Sequence, residues 1–163
     1  MNKNTNLIYK KMKSYLKELA SNCSQIHYLP PSVQSNTVPL LCLSDILVTD
    51  YSSIYHDYLL LDRPVLFAPY DIELFDEHRG HIYDYNDNTP GYKIESFHMF
   101  KEVVSELSKG KDIYSQERTK VRERFHKYND GKSRERICLF ILNELEKEID
   151  EQVDYDVIPS SEI

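Results

Sequence analysis

Thr49-Asp50-Tyr51-Ser52-Ser53 places three aliphatic hydroxyls, a carboxylate and an aromatic ring in five consecutive positions. Serine and threonine hydroxyls donate to phosphate oxygens. A helix starting just after them adds unpaired backbone N–H groups and a partial positive charge. Asp50 repels an anion, so it reads as a turn-stabilising residue or as a partner for a ligand hydroxyl. Arg79, followed by Gly80, is a candidate second clamp on a phosphate. On composition alone, ordinary capping accounts for Ser52 and Ser53, and a single loop arginine is more often a surface residue. Tyr51, Tyr70, Tyr83 and Tyr85 fall where a nucleoside could stack, although tyrosines also serve as core and rim residues.

Other chemistry is poorly supported. His78 and His81 are three residues apart and lack a convincing third zinc ligand, so no metal is expected. Ser52 and Ser53 lack the Gly-x-Ser-x-Gly turn of a hydrolase nucleophile. His56 falls on the helix after the turn and reads as a packed or exposed helix residue. No stripe of interleaved basic and aromatic residues points to nucleic acid.

The elements that must position these residues are readable around the turn. Asp45–Thr49 is an apolar, β-rich run of the buried parallel kind. Ile54–Leu61 reads as a helix with Ser53 at its N-cap and Asp57 as a first-turn acid. Asp62-Arg63-Pro64 breaks it, and Val65–Ala68 is a second buried strand. The unit is strand, turn, helix, turn, strand, which suits a right-handed crossover. In open α/β sheets ligands bind at the carboxyl ends of the strands, where such turns lie.

Upstream, residues 6–20 predict an amphipathic helix with Leu7, Ile8, Met12, Tyr15, Leu16 and Leu19 on one stripe. Lys10, Lys11, Lys13 and Lys17 lie off that stripe. It reads as a surface helix packed on a sheet, or as a basic helix that contacts a membrane surface. Gln25–Leu29 is a short strand candidate ended by Pro30-Pro31, and 36–43 a short helix with Pro39 in its first turn. Pro69–Tyr92 reads as a long irregular loop, a length usually tied to function. Helices are expected near 98–109, 115–128 and 133–149, with Asp130-Gly131 marking the break before the last.

The chain has 163 residues, 40% hydrophobic and 29% charged, enough apolar mass to exclude wholesale disorder. The expectation is one domain over 1–150 and a mobile acidic tail over 151–163. The net charge of −7 resides in the segment from Glu144 onward, where eight acids face Lys147 alone. The remainder is balanced, so an anionic ligand there is not disfavoured. Three cysteines, far apart, support neither a disulfide framework nor a zinc knuckle and suit a reduced, cytoplasmic setting. No apolar run is long enough to span a bilayer, and the N-terminus is not a secretory signal.

The run Ser44-Asp45-Ile46-Leu47-Val48-Thr49-Asp50-Tyr51-Ser52-Ser53-Ile54-Tyr55-His56-Asp57-Tyr58 resembles that of the CDP-glycerol glycerophosphotransferases, which prime and polymerise wall teichoic acids. The likeness continues in order through Arg63–Phe67, Pro69-Tyr70-Asp71, Arg79-Gly80, Tyr83-Asp84-Tyr85, Thr89-Pro90-Gly91, Asn129–Ser133 and Arg136-Ile137, covering roughly residues 40–140. It implies an α/β fold, the Rossmann-like C-terminal half of a GT-B architecture, incomplete here and followed by helices.

It further implies that Ser52 and Ser53 hold the donor's phosphates and that Arg79 clamps the diphosphate. Thr49, Asp50 and Asp57 have supporting roles, and no cofactor is needed. The donor would be CDP-glycerol, or CDP-ribitol or a nucleotide sugar in a related enzyme, and the acceptor a polyol-phosphate polymer. A non-catalytic module that binds nucleotide or a partner subunit is the other reading. The family's histidine base and His-Pro motif have no counterpart, since Tyr28 follows His27, and His56 stands where an apolar or aromatic residue is usual. The expectations are therefore a chain inactive alone, a missing N-terminal half or partner subunit, an open sheet edge, and a cytoplasmic protein at the inner face of the membrane.

Overall fold

The computed structural model describes residues 3–80 and 82–155, with side chains from residue 10 to residue 147 apart from His81. Two compact units emerge, Met1–Asp45 and Ile46–Ile163. The first contains α1 (Lys3–Asn22) and the short α2 (Val38–Leu43), whose first turn carries Pro39, where a missing N–H costs nothing. Met12, Tyr15 and Leu16 on α1 are exposed. Gln25–Leu29 forms turn and irregular backbone, contrary to the strand expectation. The sequence shows apolar residues there, but a strand also needs a ladder partner, and Pro30-Pro31 offers no N–H groups to one. Ile26 and Leu29 are exposed accordingly.

The second unit is built on a three-stranded parallel sheet of order β1-β2-β3, formed by β1 (Leu47–Thr49), β2 (Val65–Phe67) and β3 (Tyr92–Lys93). Between them run α3 (Ile54–Leu59), then α4 (Ile72–His78) and α5 (Tyr85–Asn88); α6 (Phe97–Ser108), α7 (Ser115–Phe125) and α8 (Ser133–Tyr155) complete the chain. The expected β-turn-α-turn-β unit is present in register, Leu47 opposite Val65 and Thr49 opposite Phe67. The segment read as irregular instead folds into two short helices and a third strand. Each is too short for its periodicity to stand out. The last helix runs on to Tyr155, and residues 156–163 of the expected tail lie outside the described residues.

Alternation along β2 explains the layers. Leu66 turns to one face and packs with Ile94 and with Val103, Met99 and Phe100 of α6. Phe67 turns to the other, where the Tyr55 ring of α3 meets it edge-on at 5.2 Å. Val65, Leu66 and Phe67 are all buried, as a strand covered on both faces must be. Each such side chain contributes roughly 2 kcal/mol through burial. Gly91 permits the approach of β3, since a Cβ there would collide with the Val65 carbonyl oxygen. On the far side, Val48 of β1 is half exposed, and no further strand pairs with β1 among the described residues.

Below the sheet, the Arg118 guanidinium on α7 is buried and donates to both carboxylate oxygens of Asp112, at 2.9 and 2.6 Å. It also reaches Asp62 at 3.3 Å, at the end of α3. Asp62 has φ +49°, the left-handed conformation that ends a helix. Among the described residues no helix is long and apolar enough to cross a membrane.

Candidate functional site: an aromatic cleft beside the Ser52-Ser53 turn

The turn after β1 is organised by its own side chains. The Asp50 carboxylate accepts from the Ser52 N–H at 3.0 Å, an Asx turn. The Ser52 hydroxyl oxygen accepts from the Ile54 N–H at 3.4 Å. Ser53 occupies the position before α3, yet its side chain makes no capping bond. Ordinary capping therefore employs Asp50 and Ser52, and the exposed Ser53 hydroxyl takes no part in it.

Beside this turn lies a cleft of about 240 Å³ at the carboxyl ends of β1 and β2. It is lined by Tyr51 and Ser53 of the turn, Tyr55 and His56 of α3 and Phe75 of α4, together with Gly80, Ile82, Tyr83, Asp84, Tyr85, Asn88 and Thr89. The rings make a connected wall. Tyr51 stacks on Phe75 with centroids 4.3 Å apart and lies 5.9 Å from Tyr85. The Tyr51 hydroxyl donates to the Asp71 carboxylate at 3.0 Å and accepts from the Asp71 N–H at 3.1 Å, tying the turn to the start of α4.

Electrostatics inside the wall follow from burial. Burial pushes the Tyr55 hydroxyl up to about 12 and raises Tyr85 further, so both stay neutral. Burial, reinforced by nearby His126, lowers His56, which packs against Phe125 at 4.4 Å. The His56 backbone oxygen meets Nε2 of His126 at 2.8 Å. The His56 Nδ1 atom is buried without a hydrogen-bond partner. Behind the wall, the Lys93 ammonium donates to the Thr89 hydroxyl and carbonyl oxygens and lies 4.4 Å from the Phe67 ring centroid. Its burial lowers its pKa to about 8.

Of the residues singled out from sequence, Tyr51, Ser53, Tyr83 and Tyr85 are brought together at the cleft, while Tyr70 is exposed elsewhere. Ser52, Asp50 and Thr49 belong to the adjoining turn, and Asp57 is exposed in the first turn of α3. Arg79 is exposed at the end of α4, next to cleft residue Gly80. His81 lies outside the described residues, and among those described no cluster of three or more metal-ligating side chains occurs. His56, Phe75, Asn88 and Thr89 were not singled out as site residues. The Arg124 guanidinium, also unforeseen, donates to Asn88 at 2.9 Å and lies 5.5 Å from the Tyr83 ring centre. Only the three-residue spacing from Ser53 to His56 gave a sequence hint, since one helical turn puts both at the same end.

The family model described as CDP-glycerol:poly(glycerophosphate) glycerophosphotransferase matches residues 1–143. A teichoic acid glycerol-phosphate transferase of Staphylococcus aureus is 35% identical over 104 residues, covering 63% of this chain and 27% of that protein. The wall teichoic acid polymerase TagF aligns in structure at a TM-score of 0.56 with 30% identity, over 76% of this chain and 30% of TagF. A TagF variant soaked with CDPG aligns at 0.50 with 31% identity, over 70% and 27% of the two chains. The mixed helix-and-sheet fold with its small parallel sheet thus resembles that of TagF. The chain spans between a quarter and a third of the length of these relatives.

Proposed function

The chain belongs to the CDP-glycerol:poly(glycerophosphate) glycerophosphotransferase family, and from that premise we propose that it supplies the donor-binding part of a transferase. That enzyme moves glycerol phosphate from CDP-glycerol to a polyol-phosphate polymer of the teichoic acid type. The observation that carries the reading is the aromatic cleft adjoining the Ser52-Ser53 turn at the carboxyl end of β1. That is where nucleotides bind in open α/β sheets.

The cleft, at about 240 Å³, is smaller than the roughly 300–1,000 Å³ of a pocket for a whole drug-sized ligand. It accepts the base and ribose against Tyr51, Phe75 and Tyr83. The diphosphate is left to the hydroxyls of Ser52 and Ser53 and to Arg79. An acceptor hydroxyl attacks the glycerol-bearing phosphorus, the bond to the bridging oxygen breaks, and CMP departs. Arg79 offsets the charge that develops on CMP. Asp50 holds the turn, Thr49 adds a hydroxyl, and Asp57 supports the turn or meets the glycerol end. Catalysis is mainly positioning.

The base that accepts the acceptor's proton comes from the remainder of a GT-B enzyme, either a longer chain or a partner subunit, so the chain does not turn over alone. Lys10, Lys11, Lys13 and Lys17, beside exposed Met12, Tyr15 and Leu16, suit contact with an anionic inner membrane surface.

Calorimetric titration of the purified chain with CDP-glycerol, CDP-ribitol and a UDP-sugar tests the reading. CDP-glycerol is expected to bind tightest, and Arg79→Ala to weaken it at least about tenfold, the loss of one charged hydrogen bond. Absence of binding, or an Arg79→Ala variant that binds equally well, refutes the phosphate site. Release of CMP by the chain alone, with an acceptor polymer present, refutes its dependence on a second part.

A further inference from the structure

The long final helix α8 leaves Ile137, Phe140, Ile141, Leu142 and Leu145 between 49% and 65% exposed. Leu139, 60% exposed, lies on the opposite side of the helix; the other five are placed symmetrically about Ile141. Ile137 and Leu145 stand four residues to either side of it, and Phe140 and Leu142 one residue to either side. At 100° per residue, Ile137, Ile141 and Leu145 share one stripe, with Phe140 and Leu142 flanking it.

The charges are antisymmetric about the same point. Arg134, exposed, lies seven residues before Ile141, and position 148, seven residues after it, holds a glutamate. Two helical turns bring both positions back onto the face of Ile141. Glu144 is on this face too, and the sequence stays acidic through Asp150 and Glu151. An anionic lipid surface is disfavoured by that acidic half. Inverted about Ile141, the stripe sets apolar positions on apolar positions and position 134, an arginine, on position 148, a glutamate, at both ends, while Glu144 falls opposite Cys138.

We infer that α8 is a self-association surface, on which α8 of a second copy of this chain docks antiparallel with the two Ile141 residues near the two-fold axis. Such an interface is isologous, so each contact occurs twice. Parallel pairing would set Arg134 against Arg134 and acid against acid, and is disfavoured.

Sedimentation of the full chain across the micromolar range is expected to show a monomer–dimer equilibrium. Ile141→Glu should shift it to monomer with an unchanged circular dichroism spectrum. Arg134→Glu and Glu148→Arg should each weaken self-association. An equimolar mixture of those two variants should recover a heterodimer several-fold tighter than either homodimer, because inversion pairs glutamate with glutamate in one homodimer and arginine with arginine in the other. A wild-type monomer throughout overturns the inference. So does a dimer that survives Ile141→Glu but is lost in Leu16→Glu, which would place the contact on α1. A mixture no tighter than its components, or cosedimentation with anionic vesicles in place of dimerisation, overturns it as well.

Discussion

The hydroxyl of Tyr51 is bonded twice to one residue, donating to the carboxylate of Asp71 and accepting from its backbone N–H. Twenty residues separate them in sequence, and between them run α3 and β2. One phenol thereby joins the turn after β1 to the turn after β2, the two edges of the cleft. Tyr51→Phe keeps the ring stacked on Phe75 and removes both bonds. The expected cost is about 1 kcal/mol, small because Asp71 is exposed and water replaces its partner. Urea denaturation gives the stability change. Titration with CDP-glycerol should show weaker binding beyond what the stability loss explains, since the cleft's edges are no longer tied.

Arg118 has no such recourse to water. Replacing it by Met leaves the half-buried Asp112 without its charged partner. The expected loss is about 2–3 kcal/mol, below the range for a fully buried pair because Asp62 is exposed. The hydrogen bond from Arg118 holds the Asp112 carboxyl below its usual range. A carboxyl lowered in the folded state contributes stability that is complete above its unfolded pKa of about 4 and is lost as pH falls through its folded value. Acid titration of stability should therefore fall less steeply below about pH 4 in Arg118→Met than in the wild type.

Gly91 tests the sheet. In Gly91→Ala the new methyl meets the Val65 carbonyl oxygen, a backbone atom that cannot rotate away. The expected loss is about 3 kcal/mol or more, with β3 displaced from β2. Hydrogen exchange should show the Ile94 N–H, bonded to the Phe67 carbonyl at 2.7 Å, losing protection. An unchanged denaturation midpoint would contradict the pairing of these strands.

Lys93 carries a pH signature of opposite sense to that of Asp112. Burial lowers it to about 8, so between about pH 8 and its unfolded value near 10.4 the unfolded chain binds more protons. Stability contributed by this group rises with pH across that window. Above about pH 10 the raised Tyr55 and Tyr85 oppose it, because unfolded tyrosines ionise there first. Lys93→Met should flatten the rise between pH 8 and 10 without removing the fall above it. Thermal denaturation at stepped pH reads both limbs.

The pairing of β1 with β2 through α3 was legible because two short apolar runs, a hydroxyl-rich turn and a Pro break are local signals. So were α6, α7 and the start of α8, which are long enough for their periodicity to emerge. Gln25–Leu29 failed as a strand because a ladder needs a partner that no local pattern can promise. The helices α4 and α5 and the strand β3 were missed for the complementary reason: four to seven residues of helix or two of strand acquire their identity from what they pack against.

By itself, the sequence determined the chemistry on offer: hydroxyls in the turn at Ser52-Ser53, a cation at Arg79, many tyrosines, an acidic end and an ordered set of motifs shared with one family. Chain order preserves side-chain types and near-neighbour spacing, so these survive any folding. Only the tertiary structure decided which rings gather. It joined Tyr51 to Phe75 and Asp71, set His56 against Phe125, and brought Arg124 to Asn88 across 36 residues of chain. It also assigned the capping to Asp50 and Ser52 and left Ser53 out of it. Those relationships depend on distances of a few ångströms between residues remote in sequence, and such distances exist only once Val65, Leu66 and Phe67 have been buried and the sheet has formed.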